Sequence, residues 1–187
     1  MGVSIGTSTA RSTEWIVERL REIAPRSIVD IGCGWGRWGF LAREFCELWF
    51  HRYSRDEWKV RIDALDVNPG TWTPVHAYIY DSMMQADVRT WTPSQRYDVA
   101  ICCDVLEHMP KEDGLKTLEK LLAWCDNVLL GIPLGAGWSR PGFDGNPYEA
   151  HVARWEAWDV SDLDHTIVAH NIVKTEDGLA YGLFHVR

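Results

Sequence analysis

The sequence predicts a doubly wound α/β domain, and three stretches predict it. Ser27 to Ile31 is a short β-branched run that ends in the alternate glycines Gly32, Gly34 and Gly36. A buried parallel strand has this form when its chain turns sharply into a helix. Tyr97 to Cys103 is almost unbroken in its apolar character, which fits a central strand covered on both faces. Thr166 to Val173 and Leu179 to Val186 are joined through Glu176-Asp177-Gly178 and read as a closing antiparallel hairpin.

The remaining elements follow in order. Ser12 or Thr13 caps a first helix over about residues 12–24, where Ile16, Leu20 and Ile23 share one face. Phe45 to Lys59 is rich in aromatic and charged residues, among them Trp49, His51, Arg52, Tyr53, Arg55 and Trp58. This stretch either lengthens the helix after the glycine turn or forms a surface loop. Val60 to Asp66 alternates and ends in an acid, as a second strand should, and Gln85 to Val88 closes a third. Pro110 to Cys125 is amphipathic, with Leu115, Leu118, Leu121 and Leu122 inward, and Val128 to Pro133 is a fifth strand.

No repeat, low-complexity tract or linker divides residues 1–187, so one domain is expected. Residues 133–158 are irregular, and such a stretch inside a compact domain points to a substrate lid. Gly135, Gly137, Gly142 and Gly145 would give it mobility; Trp138, Phe143, Tyr148 and Trp155 would give it an apolar wall.

Composition narrows the function. Apolar content of 46% and charged content of 25% suit a soluble globular chain. No apolar run approaches the roughly 20 residues that span a bilayer. The N-terminus lacks a leader pattern, and the 5 cysteines lack metal-type spacing. Reduced thiols in a cytoplasm are the expectation. A net charge of −8 argues against nucleic acid as partner. The closest basic clusters, Arg19 with Arg21 and Arg52 with Arg55, read as a solvated face. The 11 tryptophans leave a homodimer interface as one option for an otherwise open oligomeric state.

The glycine turn admits two ligand classes. Gly34, Gly36 and Gly39 satisfy the dinucleotide fingerprint, so a dinucleotide-dependent oxidoreductase is an alternative. Counted from Gly32, however, Arg37 stands where the third glycine belongs. Asp30 precedes the turn, and a carboxylate there repels a pyrophosphate and attracts an ammonium or sulfonium. Asp30-x-Gly32-x-Gly34-x-Gly36 resembles the first motif of the class I S-adenosylmethionine-dependent methyltransferases.

That resemblance covers nearly the whole chain and implies a Rossmann-like sheet of about seven strands, the last inserted antiparallel. It implies S-adenosylmethionine as cofactor and S-adenosylhomocysteine as product. Asp30 would bind the methionine amino end, Asp66 the ribose hydroxyls and Asp87 the adenine amino group. Asp63 is the nearest rival to Asp66. Gly32, Cys33, Gly34, Trp35, Gly36, Val67, Val88, Asp104 and Val105 complete the expected cofactor site, with Leu106 beside the adenosine. A catalytically dead binding module would have lost these acids, and all three are present.

Asp104-Val105-Leu106-Glu107-His108 resembles the segment after strand four in many small methyltransferases. His108 is the candidate general base, with Glu107 as a second acid–base group and His151 contributed by the lid. The acceptor is expected to be a small molecule methylated on oxygen. Asp104, Glu107, His108 and His151 together are also similar to the ligand sets of metal-dependent O-methyltransferases, including those acting on small-RNA 2′-hydroxyls. They define the alternative of a metal-assisted enzyme acting on a nucleic-acid or sugar hydroxyl, in which a divalent ion lowers the hydroxyl pKa. Asp104 stands where those families usually have Glu.

Overall fold

The β-branched run forms strand β1 (Ser27–Ile31), parallel to β2 (Arg61–Asp66) on one side and to β4 (Tyr97–Cys103) on the other. The computed structural model describes residues 8–138, 141–142 and 146–187. One sheet of seven strands has the order β3-β2-β1-β4-β5-β7-β6, where β3 is Ser82–Gln85, β5 Cys125–Pro133, β6 Ile167–Lys174 and β7 Ala180–Val186. Strand β7 is antiparallel to both neighbours, and the other pairings are parallel. This is the expected Rossmann-like sheet. Its strand order reverses between β1 and β4, which opens a crevice at their carboxyl ends.

Helices α1 (Thr13–Ile23), α2 (Arg37–Cys46) and α3 (Pro74–Ile79) cover one face, and α4 (Lys111–Trp124) and α5 (Ala157–Ser161) the other. The alternation of β4 sends Cys102 into one core, with Leu118 and Val160, and Cys103 into the other, with Ile16 and Trp38. All five cysteines are free and buried.

Several boundaries move for identifiable reasons. Ser12 stands at the N-cap of α1 without a side-chain cap, its hydroxyl donating instead to the Thr9 carbonyl; Thr9 caps the preceding 3-10 turn Ala10–Ser12, its Oγ1 accepting from the Arg11 amide at 3.3 Å. Strand β5 starts directly after α4 because Cys125 already pairs with Tyr97. Of the 45–59 stretch, only Phe45 and Cys46 belong to α2. The rest is a surface loop with short 3-10 turns at Leu48–Phe50 and Arg55–Glu57.

Buried Glu47 organises that loop. It accepts from the amides of Lys59 and Val60 at 2.8 and 2.6 Å and pairs with Arg52 and Arg43. Arg52 is therefore tied into the loop, whereas Arg55 is exposed but engaged by backbone. Arg55 donates to the carbonyls of Ala77, Tyr78 and Tyr80, which satisfies the end of α3.

The 133–158 segment is tied down at both arms. The amides of Leu134 and Gly135 donate to the carbonyls of Ala180 and Trp155, and those of Val152 and Ala153 both donate to the Glu107 carbonyl. Trp155 is fully buried in the α4 face, so it is core rather than lid wall. Gly137 serves packing rather than mobility, since a Cβ there would lie 2.7 Å from Leu179. Phe143 and Gly145 lie outside the described residues. No described helix is long and apolar enough to cross a membrane.

Candidate active site

A cavity of about 360 Å³ lies at the carboxyl ends of β1, β2 and β4. Its floor is the glycine turn, and local sterics dictate the residues there. Gly32 (φ +69°) donates to the Leu65 carbonyl at 2.7 Å, and a Cβ on it would stand 2.5 Å from Val105. Gly34 and Gly36 also take positive φ, which only glycine adopts without strain. The Gly34 amide donates to Asp66 Oδ2 at 2.8 Å, and the Asn68 amide to Asp66 Oδ1 at 2.8 Å. Two amides thus fix the Asp66 carboxylate on the wall, with acceptor capacity left for a diol. Its rival Asp63 is buried under Tyr97 and Arg61.

Cys33, Trp35, Val67, Asp87, Val88, Asp104 and Val105 also line the cavity. The Asp87 carboxylate is held by Arg89, whose hydrogen bonds keep it below the usual carboxylate range. Leu106 is in the core and not on the wall.

Asp30 departs from its expected role of direct contact. It is fully buried on the α2 side of the sheet, and the cavity is lined instead by its neighbour Ile31. Tyr80 donates to Asp30 Oδ2 at 2.5 Å. Burial pushes the Asp30 carboxyl up to about 7 against the pull of that hydrogen bond. The same tyrosine explains Gly39: a Cβ there would sit 2.3 Å from the ring. The third glycine of the apparent dinucleotide fingerprint makes room for Tyr80.

The other end of the cavity is built around a 3-10 turn at Leu106–His108. Asp104, left-handed at φ +56°, receives the Tyr181 hydroxyl at 2.8 Å. The His108 Nδ1 lies 3.1 Å from the Ala150 carbonyl. A carbonyl only accepts, so Nδ1 carries the proton and Nε2 is the basic nitrogen of the neutral ring. His108 Nε2 is 3.9 Å from Glu107 Oε1, and the rings of His108 and His151 meet edge-on at 4.9 Å.

One ligand atom each from Glu107, His108 and His151 lies within 4.8 Å of the others, a spacing that could hold a metal ion. Asp104 is not in that cluster. His108 and His151 line the main cavity; Glu107 lies behind them on a second hollow of about 260 Å³ shared with His151 and Trp138.

Sequence reasoning missed three contributors. Arg37 lines the cavity and donates to the carbonyls of Ser8 and Thr9 and to the Thr13 hydroxyl. Thr9 in turn donates to Glu176 at 2.9 Å, so the N-terminal segment and the β6–β7 turn close one side of the mouth. His76, on α3, meets the Gly34 carbonyl from below. Arg37 was visible only as a residue occupying a glycine position.

Comparison with known proteins agrees with this geometry. A methyltransferase-domain family model matches residues 10–173. Trans-aconitate 2-methyltransferase of Streptomyces avermitilis is 30% identical over 159 residues, which cover 78% of this chain and 52% of the relative. The chain thus spans about half the length of that relative. Magnesium protoporphyrin IX methyltransferase from Synechocystis PCC 6803, solved with bound S-adenosylmethionine, superposes with a TM-score of 0.65 at 19% identity, covering 95% of this chain and 78% of that one. The 1,6-didemethyltoxoflavin-N1-methyltransferase of Burkholderia thailandensis, with its substrate and S-adenosylhomocysteine, gives 0.67 at 17% identity over 95% and 76%. At these identities the two structures establish the fold. With the family match and the glycine-turn geometry, they place this chain in the methyltransferase-domain family, among the class I S-adenosylmethionine-dependent enzymes.

Proposed function

We propose that this domain methylates an oxygen of a small-molecule acceptor held beneath the 133–158 segment, with His108 as general base. The observation that carries this reading is the placement of His108 and His151 on the wall of the cavity whose floor is the glycine turn and Asp66. The site fits the cofactor: Gly32 has no room for a side chain, and Asp66 presents an oriented carboxylate suited to ribose hydroxyls. When bound, S-adenosylmethionine supplies the methyl group and a neutral sulfur leaving group.

The chain's own residues do the rest. Asp66 and the turn hold the nucleoside, and Trp138, Tyr148 and the histidines bound the acceptor's space. His108 Nε2 takes the proton that the acceptor hydroxyl loses as its oxygen bonds the methyl carbon. The Ala150 carbonyl keeps His108 in the tautomer this requires. Glu149, Glu176 and Asp177 line the mouth, while the Arg37 guanidinium is committed to Ser8, Thr9 and Thr13. This charge distribution favours a small acceptor over a nucleic acid.

A second reading is favoured by the convergence of Glu107, His108 and His151. One carboxylate and two imidazoles suit a divalent transition ion, which would acidify an acceptor hydroxyl. Asp87 would contact the adenine in either case. The test is transfer of labelled methyl from S-adenosylmethionine into fractionated metabolites, with and without chelator. Label in a small molecule supports the proposal. Label only in polymer, or none with cofactor bound, overturns it.

A further inference from the structure

We propose that His76 is a positioning residue for the nucleoside site, acting through the Gly34 carbonyl; this rests on the reading that the cavity takes the cofactor. His76 is 1% exposed and sits at the start of α3. Its Nδ1 lies 3.1 Å from the Thr73 amide and its Nε2 3.0 Å from the Gly34 carbonyl oxygen. An amide can only donate and a carbonyl can only accept. The ring is therefore the neutral tautomer with its proton on Nε2, and that proton is given to Gly34.

The Thr71 hydroxyl donates to the same oxygen at 2.8 Å. The other side of Gly34 is fixed as well, since its amide donates to Asp66. Gly34 holds φ +50° within a turn whose glycines all take positive φ. Such a turn has many alternative conformations. The residue that clamps one end of it thus sets where its amide, and with it the Asp66 carboxylate, stands. Gly36 leaves the space: a Cβ there would come within 3.1 Å of His76 Nε2. Nothing from α3 lines the cavity itself, so His76 acts only through the turn.

Two substitutions separate this role from packing. His76→Gln retains a donor at the position of Nε2 and forfeits the acceptor for Thr73. His76→Asn retains the acceptor at the position of Nδ1 and forfeits the donor to Gly34. S-adenosylhomocysteine affinity would be measured by calorimetry for wild type and both variants, with urea unfolding of each apo protein alongside. The expected result is a loss of about tenfold for His76→Asn, the scale of one hydrogen bond, with His76→Gln within about twofold of wild type. Wild-type affinity in His76→Asn, or equal losses in both variants, would overturn the inference. So would a His76→Asn protein that does not fold, since the role would then be structural. Failure of the wild type to bind would instead sink the functional reading on which this rests.

Discussion

The Tyr80 hydroxyl lies 2.5 Å from a carboxylate oxygen of Asp30, sealed beneath the glycine turn and out of reach of the cavity. Asp30 is therefore a buried group whose protonation is linked to folding rather than a part of the cavity wall.

The linkage has a definite sign. Burial raises the Asp30 carboxyl from 3.8 to about 7, so the folded chain holds this proton more tightly than the unfolded chain does. The stabilisation is complete below about pH 4 and is lost as pH rises toward 7, with a slope of up to about 1.4 kcal/mol per pH unit. Asp30→Asn should flatten that slope in urea unfolding between about pH 4 and 7. An unchanged pH dependence would show that the proton is not held there.

Gly39→Ala should destabilise the fold by about 1–3 kcal/mol through overpacking, because its new methyl meets the Tyr80 ring. Urea midpoints test this, and a neutral effect would mean that Tyr80 moves aside freely.

Asp66→Ala should weaken S-adenosylhomocysteine binding by tenfold or more, on the order of a charge-assisted hydrogen bond. Calorimetry measures it, with circular dichroism to establish that the fold persists. Unchanged affinity would place the ribose elsewhere.

His108→Ala should reduce turnover by about 10²–10⁴-fold, the range for a positioned general base, while cofactor affinity stays within about twofold. Full activity would restrict His108 to its hydrogen bond with the Ala150 carbonyl, on the returning arm of the 133–158 segment.

Much of this architecture was written locally. The glycine turn, the acids at the ends of β2 and beyond β3, and the Glu107-His108 turn are encoded by residues a few positions apart. The lesson of Asp30 is different. Its charge argued for a cationic ligand, yet strand alternation decides where a side chain points: Ile31 takes the cavity side and Asp30 the helix side. The residues that sequence reasoning missed have distant partners. His76 reaches Gly34 across 42 positions and Tyr80 reaches Asp30 across 50, and no local periodicity records such pairs. Glu47, likewise, is one acid among many until the backbone returns at Lys59 and Val60 to use it.

The two tethers of the 133–158 segment carry a mechanical corollary. One arm is pinned to Ala180 and Trp155, the other to the carbonyl of Glu107. The second anchor grips the backbone one residue before His108, and the imidazole in turn meets the Ala150 carbonyl, so any shift of that arm is felt directly by the histidine.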